Sequence, residues 1–338
     1  MLRVLFAAGG SIGHIAPCVA VWRAVQKIKP VTEAHFVCST REEDTRFLQK
    51  EGVNCTVLGG RGISIWTLPA ILSRAWKVLS HVTPDVIFTK GGGVTVPIAL
   101  AGWMRGIPIV VHESDAIPGR ATRLLSTFAT HVVQGFPANP IRPEILRGSR
   151  ERGLALTGFS GDRPILLVMG GSQGAAALND AVAAKLDELL VRVDIVHITG
   201  KGKSGASAQP GKYWTCEFAH EEYPHLLAIA DIALSRAGAG SISELAVSGI
   251  AAILVPLRGL AHDHQERNAR AMEEKDACVV IEQDSLVRAL LPAVKRFLDD
   301  PPLLQHMQET MHTLAGLDAS RKVAEILLAI SNEHGRVP

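Results

Sequence analysis

His14 stands directly behind Gly9-Gly10-Ser11-Ile12-Gly13, which follows the apolar run Val4–Ala8. A histidine with an ordinary pKa near 6.5 can take a proton from a sugar hydroxyl, so His14 is the candidate general base. As a lone histidine it could equally cap its loop. The Gly-Gly-Ser-x-Gly loop leaves backbone N–H groups pointing outward at a helix start, where the macrodipole favours an anion. The same signature returns as Gly170-Gly171-Ser172-Gln173-Gly174 behind Ile165–Met169, at an offset of 161 residues. Two copies in register predict two phosphate-bearing ligands; the plainer alternative is that the glycines only let helix and strand pack closely.

A third stretch, Arg236-Ala237-Gly238-Ala239-Gly240-Ser241-Ile242-Ser243-Glu244, follows an apolar strand and opens a helix. Ser241 and Glu244 fit a capping box, yet a carboxylate at that edge can also accept both ribose hydroxyls of a nucleotide. Asp263-His264-Gln265-Glu266-Arg267-Asn268 adds amides and donors at the start of another helix. The chain has no Asp-x-Asp and no H-E-x-x-H, so no metal site is expected and diphosphate charge falls to helix N-termini and arginine. Both glycine loops also match the G-x-S-x-G elbow of hydrolases, but a hydrolase carries one elbow and does not open its first strand with it. Ala8-x-Gly10-x-x-Gly13 approximates a dinucleotide fingerprint. The next strand, however, ends in Ser39-Thr40-Arg41, without the acidic ribose partner of NAD.

The elements that must position these residues alternate. Strand candidates are Ala34–Cys38, Asp85–Thr89, Pro108–Val111 and His131–Val133 in the first half. Val193–Ile198, Ile232–Ser235, Ala251–Val255 and Ala277–Ile281 follow in the second. Such a rhythm predicts an α/β fold of two doubly wound, Rossmann-like parallel sheets, with ligands beyond the carboxyl ends of the strands. A length of 338 residues suits two domains, and Arg147–Asp162, rich in Gly, Arg and Ser, is the predicted linker. Two such domains facing across a cleft make the glycosyltransferase-B arrangement.

Residues 1–150 hold 17 Lys and Arg against 9 Asp and Glu, and the rest hold 18 against 24. A basic half predicts an anionic surface or ligand on that side. Ile63, Ile65, Trp66, Leu68, Ile71, Leu72 and Trp76, interleaved with Arg61, Arg74 and Lys77, read as an interfacial membrane segment; a core-facing helix is the alternative. The N-terminus lacks the pattern of a signal peptide, and no run of about 20 apolar residues is present to span a bilayer. Five scattered cysteines without C-x-x-C spacing predict buried cytosolic thiols.

Together, Gly10–His14, Gly91-Gly92, His112-Glu113, Asn139–Arg142, Gly170–Ala175, Arg236–Glu244 and His264-Gln265 with Asn268 resemble the MurG family of peptidoglycan N-acetylglucosaminyltransferases. The resemblance implies inverting transfer of N-acetylglucosamine from UDP-N-acetylglucosamine, with no cofactor, to the 4-hydroxyl of a lipid-linked muramoyl-pentapeptide. It implies residues 1–148 as an acceptor- and membrane-binding domain and 149–338 as a UDP-sugar domain, the last helix packing back on the first. Gly10, Ser11, Ile12, Gly13, Gly91, Gly92, Glu113 and Asp115 would line the acceptor side, with His14 as base. Ser172, Gln173 and Gly174 would meet the donor diphosphate, with Arg236, Ala239, Gly240 and Ser241 along it. Ala219 would read uracil, Glu244 the ribose, Gln265 and Asn268 the sugar side, and Arg142 would lie towards the uridine. The implied partners are a lipid-linked acceptor, an anionic membrane surface and other cell-wall synthesis proteins, with no nucleic acid. The implied location is the cytoplasmic face of the cell membrane. Departures from the family pattern collect on the acceptor side: Ile12 for a glycine, Gly93 for a tyrosine, Ser114-Asp115 for Gln-Asn, and a short stretch before Asn139. On the sequence alone, a related transferase with another acceptor and a catalytically impaired nucleotide-sugar-binding protein both remain open.

Overall fold

The computed structural model describes residues 1–59, 67–171, 174–203, 205–259 and 263–333. The chain divides into two compact units, Met1–Arg142 with Leu317–Pro338, and Pro143–Gly316.

The first unit holds a parallel sheet of β1 (Leu2–Ala7), β2 (Thr32–Ser39), β3 (Cys55–Gly59), β4 (Val86–Thr89), β5 (Ile109–Glu113) and β6 (His131–Gln134), ordered β3-β2-β1-β4-β5-β6. Its central strands are apolar without alternation because both faces are covered. Val4, Phe6 and Phe88 point into a core closed by the helices Ile12–Ile28 and Ala319–Glu333. Leu5, Ala7 and Ile87 point the other way, under the helices Leu68–Val82 and Thr95–Trp103. Phe6 anchors the first core, stacked on Phe36 at 4.9 Å and edge-on to Phe88 at 5.6 Å. The final helix belongs to this unit through buried Val323, Ala324 and Leu327.

The second unit repeats the plan. Its strands are β7 (Ile165–Met169), β8 (Asp194–Ile198), β9 (Tyr213–Cys216), β10 (Ile232–Ser235), β11 (Ala251–Leu254) and β12 (Cys278–Val280), ordered β12-β11-β10-β7-β8-β9. Counted from its own first strand this is the same order as the first sheet. The reversal beside β1 and β7 is where such sheets bind ligands. Pro143–Gly148 go with the second unit, six residues earlier than the boundary predicted at 148. A Cβ on Gly148 would lie 2.2 Å from the Pro224 carbonyl, so this segment lies tight against the helix Tyr223–Ile229. The Ser149 N–H donates to His225 Nδ1 at 2.9 Å and continues that contact.

Two strands were not predicted. β3 and β9 each form one edge of their sheet, opposite β6 and β12, and their half-exposure blurs the apolar pattern. Of the cysteines, Cys18, Cys38 and Cys278 are buried, while Cys55 and Cys216 are only half-buried because they sit on these edge strands.

Candidate active site

In the first unit three loops leave the carboxyl edge of adjacent strands β1, β4 and β5. Gly10 takes φ +94°, a left-handed conformation that a side chain would strain, and Gly171 repeats it at +73° in the second unit. The Gly10 N–H donates to Asp44 Oδ2 at 2.8 Å, and Ser39 Oγ donates to the same oxygen at 2.6 Å. One of the amides expected to face a ligand is therefore used to hold the loop. Ser11 is the N-cap of Ile12–Ile28 and makes no side-chain cap bond. Ile12, Gly13 and His14 thus form the first helical turn, with no acidic side chain in it to answer the helix dipole.

His14 projects from that turn with Nδ1 buried and without a hydrogen-bond partner among the described residues. It does not cap the loop with its side chain. Burial and the Lys90 charge pull its pKa below the ordinary value, opposed by Asp115, Glu113 and Asp44. It is accordingly neutral at physiological pH, the state a base requires.

Glu113, buried at the end of β5, accepts from Asp115 N at 2.9 Å and from Gly119 N at 3.1 Å. It ties down the loop between them, so its carboxylate is structural. Asn139 Nδ2 braces the same loop at the Ser114 carbonyl, 3.0 Å, and Gln134 Nε2 at the Asp115 carbonyl, 2.7 Å. Asp115, on the same loop, acts on His14 through its charge and raises the His14 pKa. Gly91 and Gly92 are both left-handed, and the Gly92 carbonyl starts the next helix by accepting from Thr95 N and Oγ1.

In the second unit, Gly174 N–H donates to the Gly171 carbonyl at 3.0 Å, closing a tight turn before the helix Ala176–Ala184. Ser172 and Gln173 lie outside the described residues. Past β10, Arg236 turns inward: its guanidinium donates to the Val255 carbonyl at 3.1 Å and to Gln283 Oε1. These bonds tie β10 to β11 and to the turn after β12, which takes Arg236 away from the predicted phosphate role. Ala239, Gly240 and Ser241 are the first turn of Ala239–Val247, whose N-cap is Gly238. The capping-box reading of Ser241 and Glu244 is overturned, since the helix begins before Ser241.

Glu244 is instead oriented by a residue that sequence reasoning missed. Tyr223 donates its hydroxyl to Glu244 Oε2 at 2.9 Å and lies 3.3 Å from Met169 Sδ, at the end of β7. Gln265 Oε1 accepts from the Leu257 N–H at 3.0 Å. Asn268 is fully buried and donates to the Ala237 carbonyl at 3.2 Å, so it supports the small-residue loop from behind. Ala219 is half-buried between exposed Phe218 and half-buried His220, whose rings meet edge-on at 6.5 Å. Arg142 closes the first unit, with Nε buried.

On the helix Leu68–Val82, Arg74, Trp76 and Lys77 are exposed, whereas Leu72 packs on the core and leaves the predicted membrane face. Arg61 and Trp66, like Ile63 and Ile65, lie outside the described residues. Trp76 is 43% exposed and carries the Arg105 guanidinium 5.2 Å above its ring. Arg105 leads on to Trp103 and Met104, exposed by 54% and 60%. The signal for this extension was in the sequence, as Trp-Met-Arg closing an otherwise apolar helix. No helix among the described residues is long and apolar enough to cross a membrane.

Residues 4–134 match the glycosyltransferase family 28 N-terminal domain, and residues 165–324 match the family 28 C-terminal domain. A Bacillus cereus protein named UDP-N-acetylglucosamine–N-acetylmuramyl-(pentapeptide) pyrophosphoryl-undecaprenol N-acetylglucosamine transferase 2 is 33% identical over 322 residues, covering 87% of this chain and 91% of the relative. A transferase of that name from Geobacillus kaustophilus is 38% identical over 253 residues, covering 70% and 71%. The crystal structure of Acinetobacter baumannii MurG superposes with a TM-score of 0.78 at 24% identity over 97% of this chain and 100% of that one, so the fold is the glycosyltransferase-B fold. With both family 28 domains and 33% identity over 91% of the Bacillus cereus relative, the chain belongs to the MurG-type N-acetylglucosaminyltransferases of glycosyltransferase family 28.

Proposed function

We propose that this chain transfers N-acetylglucosamine from UDP-N-acetylglucosamine to the 4-hydroxyl of undecaprenyl-diphospho-muramoyl-pentapeptide, with inversion, converting lipid I to lipid II in peptidoglycan synthesis. Its relatives are named for this hexosyl transfer. The observation that carries the residue assignment is His14, held neutral in the first turn of a helix beside Asp115 and Lys90. His14 takes the proton of the attacking hydroxyl while the glycosidic oxygen of UDP leaves. A neutral imidazole gains a charge in that step, and the Asp115 carboxylate nearby favours it.

The second unit holds the donor. Glu244, fixed by Tyr223, accepts from the ribose hydroxyls, and the Ala239–Ser241 turn meets the diphosphate with free helix N–H groups. Gln265 addresses the sugar hydroxyls and Ala219 the uracil, with Gly174 completing the first diphosphate loop. The leaving-group charge then falls on backbone N–H groups already oriented to receive it.

The first unit docks on the cytoplasmic face of the membrane as a peripheral protein. Arg74, Lys77 and Arg105 would meet lipid phosphate, and Trp76, Trp103 and Met104 would enter the interface. Labelled N-acetylglucosamine transfer onto a panel of lipid acceptors tests the whole reading. Product on the muramoyl-pentapeptide lipid alone supports it, and transfer only to other acceptors sinks it.

A further inference from the structure

Lys90 follows β4 directly, and only 4% of it is exposed. Its backbone N–H donates to the Ala7 carbonyl at 3.3 Å, which seats it against β1, while β5 flanks β4 on the other side. The side chain therefore rises among the loops that carry the proposed acceptor machinery. The charged and titratable groups facing it are His14 and Cys18 on the helix Ile12–Ile28, His112 and Glu113 on β5, and Asp115 just past it.

None of these compensates it by contact. The ammonium makes no ion pair and no hydrogen bond among the described residues, and both Glu113 oxygens are taken by backbone N–H groups. Burial presses its pKa down to about 8. Arg236, the cation directly after the corresponding strand β10, is satisfied by Val255 and Gln283. A largely buried charge without a protein partner is costly, and such groups are enriched where ligands bind.

We propose that Lys90 binds the diphosphate of the lipid-linked acceptor and makes the first unit selective for acceptors that carry this anion. The inference rests on the transfer reading for the identity of the anion. It also sets a cation near the Asp115 carboxylate, which offsets the repulsion between that carboxylate and an anionic acceptor.

The test compares the full chain with Lys90→Met in three measurements. The first is transfer to the diphosphate-linked acceptor and to a muramoyl-peptide bearing a neutral alkyl group in place of the diphosphate. A lost charge-assisted hydrogen bond is expected to raise KM for the charged acceptor by roughly ten- to a hundredfold. Measured on the pH plateau above the acid limb set by His14, the KM for UDP-N-acetylglucosamine and the KM for the neutral acceptor should stay unchanged. An equal loss on both acceptors, or no change on the charged one, overturns the proposal. The second is titration of a short prenyl diphosphate with the donor site filled by UDP. Weaker binding by the variant supports the site even if no acceptor is glycosylated, which separates its fate from that of the transfer reading; equal binding overturns it. The third is the melting temperature, expected to hold or rise when an uncompensated buried charge is removed. A fall would make Lys90 a structural residue.

Discussion

The two sheets share a strand order and a left-handed second glycine after their first strand, yet their carboxyl edges have opposite chemistry. At the first edge, His14, Lys90 and Asp115 gather, and burial pulls the His14 and Lys90 pKa values down. At the second, the corresponding cation is tied to a carbonyl and an amide, small residues open the helix, and a single carboxylate, Glu244, is aligned by a tyrosine. Titratable groups brought close in a low-dielectric edge suit proton transfer, whereas a quiet edge of helix N–H groups suits binding a diphosphate that departs unchanged. One topology thus presents two different edges, and the difference lies in the few residues that end each strand; on the proposed reading each edge serves one half of the group transfer.

The division is broken most directly at His14. Replacing it with Ala is expected to lower kcat by roughly 10²–10⁴ with UDP affinity intact, read by initial rates and a UDP titration. If more than half the activity survives, proton transfer belongs elsewhere and Asp115 is the next residue to replace. At the other edge, Glu244→Ala should weaken UDP binding by roughly ten- to a hundredfold through a lost charge-assisted hydrogen bond. Calorimetric titration alongside a melting curve checks this, and full affinity in a folded variant removes Glu244 from the donor site.

Neutralising Arg74 and Lys77 to Gln together should reduce co-sedimentation with anionic vesicles by about thirtyfold, at roughly 1 kcal/mol per cation. The remaining binding should weaken with salt, and equal, salt-insensitive binding by both proteins would detach this face from the membrane. A smaller effect is expected for Tyr223→Phe, about two- to tenfold in UDP affinity, because it removes only the hydrogen bond that aligns Glu244. If Tyr223→Phe is silent, Glu244 is oriented by the ligand rather than by the protein.

The pH profile sharpens the first edge. His14 lies below its ordinary 6.5, chiefly through burial and then Lys90, so its base form persists as pH falls and the acid limb of kcat/KM should lie below pH 6.5. Lys90→Met removes one of the depressing causes, and the limb should move up. In the wild type Lys90 loses its proton around pH 8, so kcat/KM for the charged acceptor should decline above that pH, and this limb should vanish in the variant. An acid limb above 6.5 would contradict the buried, cation-flanked environment of His14.

Much of this was legible in the residues alone. The repeat of Gly-Gly-Ser-x-Gly behind two apolar runs announced both sheets and both loops, because a parallel strand covered on both faces must be continuously apolar and must turn sharply. His14 was legible for the same reason, as its place behind a repeated loop made a lone histidine worth naming. The edge strands β3 and β9 were not: Tyr213–Cys216 is fastened by Tyr213 to His197 at 2.7 Å, and His197 to Asn179 at 3.0 Å, bonds between residues distant in the chain.

The sequence by itself determined the fold class, the doubled architecture and the positions of the glycine loops, since each follows from local periodicity and turn chemistry. Tertiary structure alone decided what each polar residue is bonded to. Arg236 and Lys90 each read as a cation after a strand, but one is consumed by Val255 and Gln283 and the other is buried without a counter-ion. Glu113 and Glu244 each read as a carboxylate near a loop, but one bonds Asp115 and Gly119 while the other is presented by Tyr223. The reason is that burial and hydrogen-bond partnership depend on residues far apart in the chain, and these two quantities set whether a charged side chain holds the fold or meets a ligand.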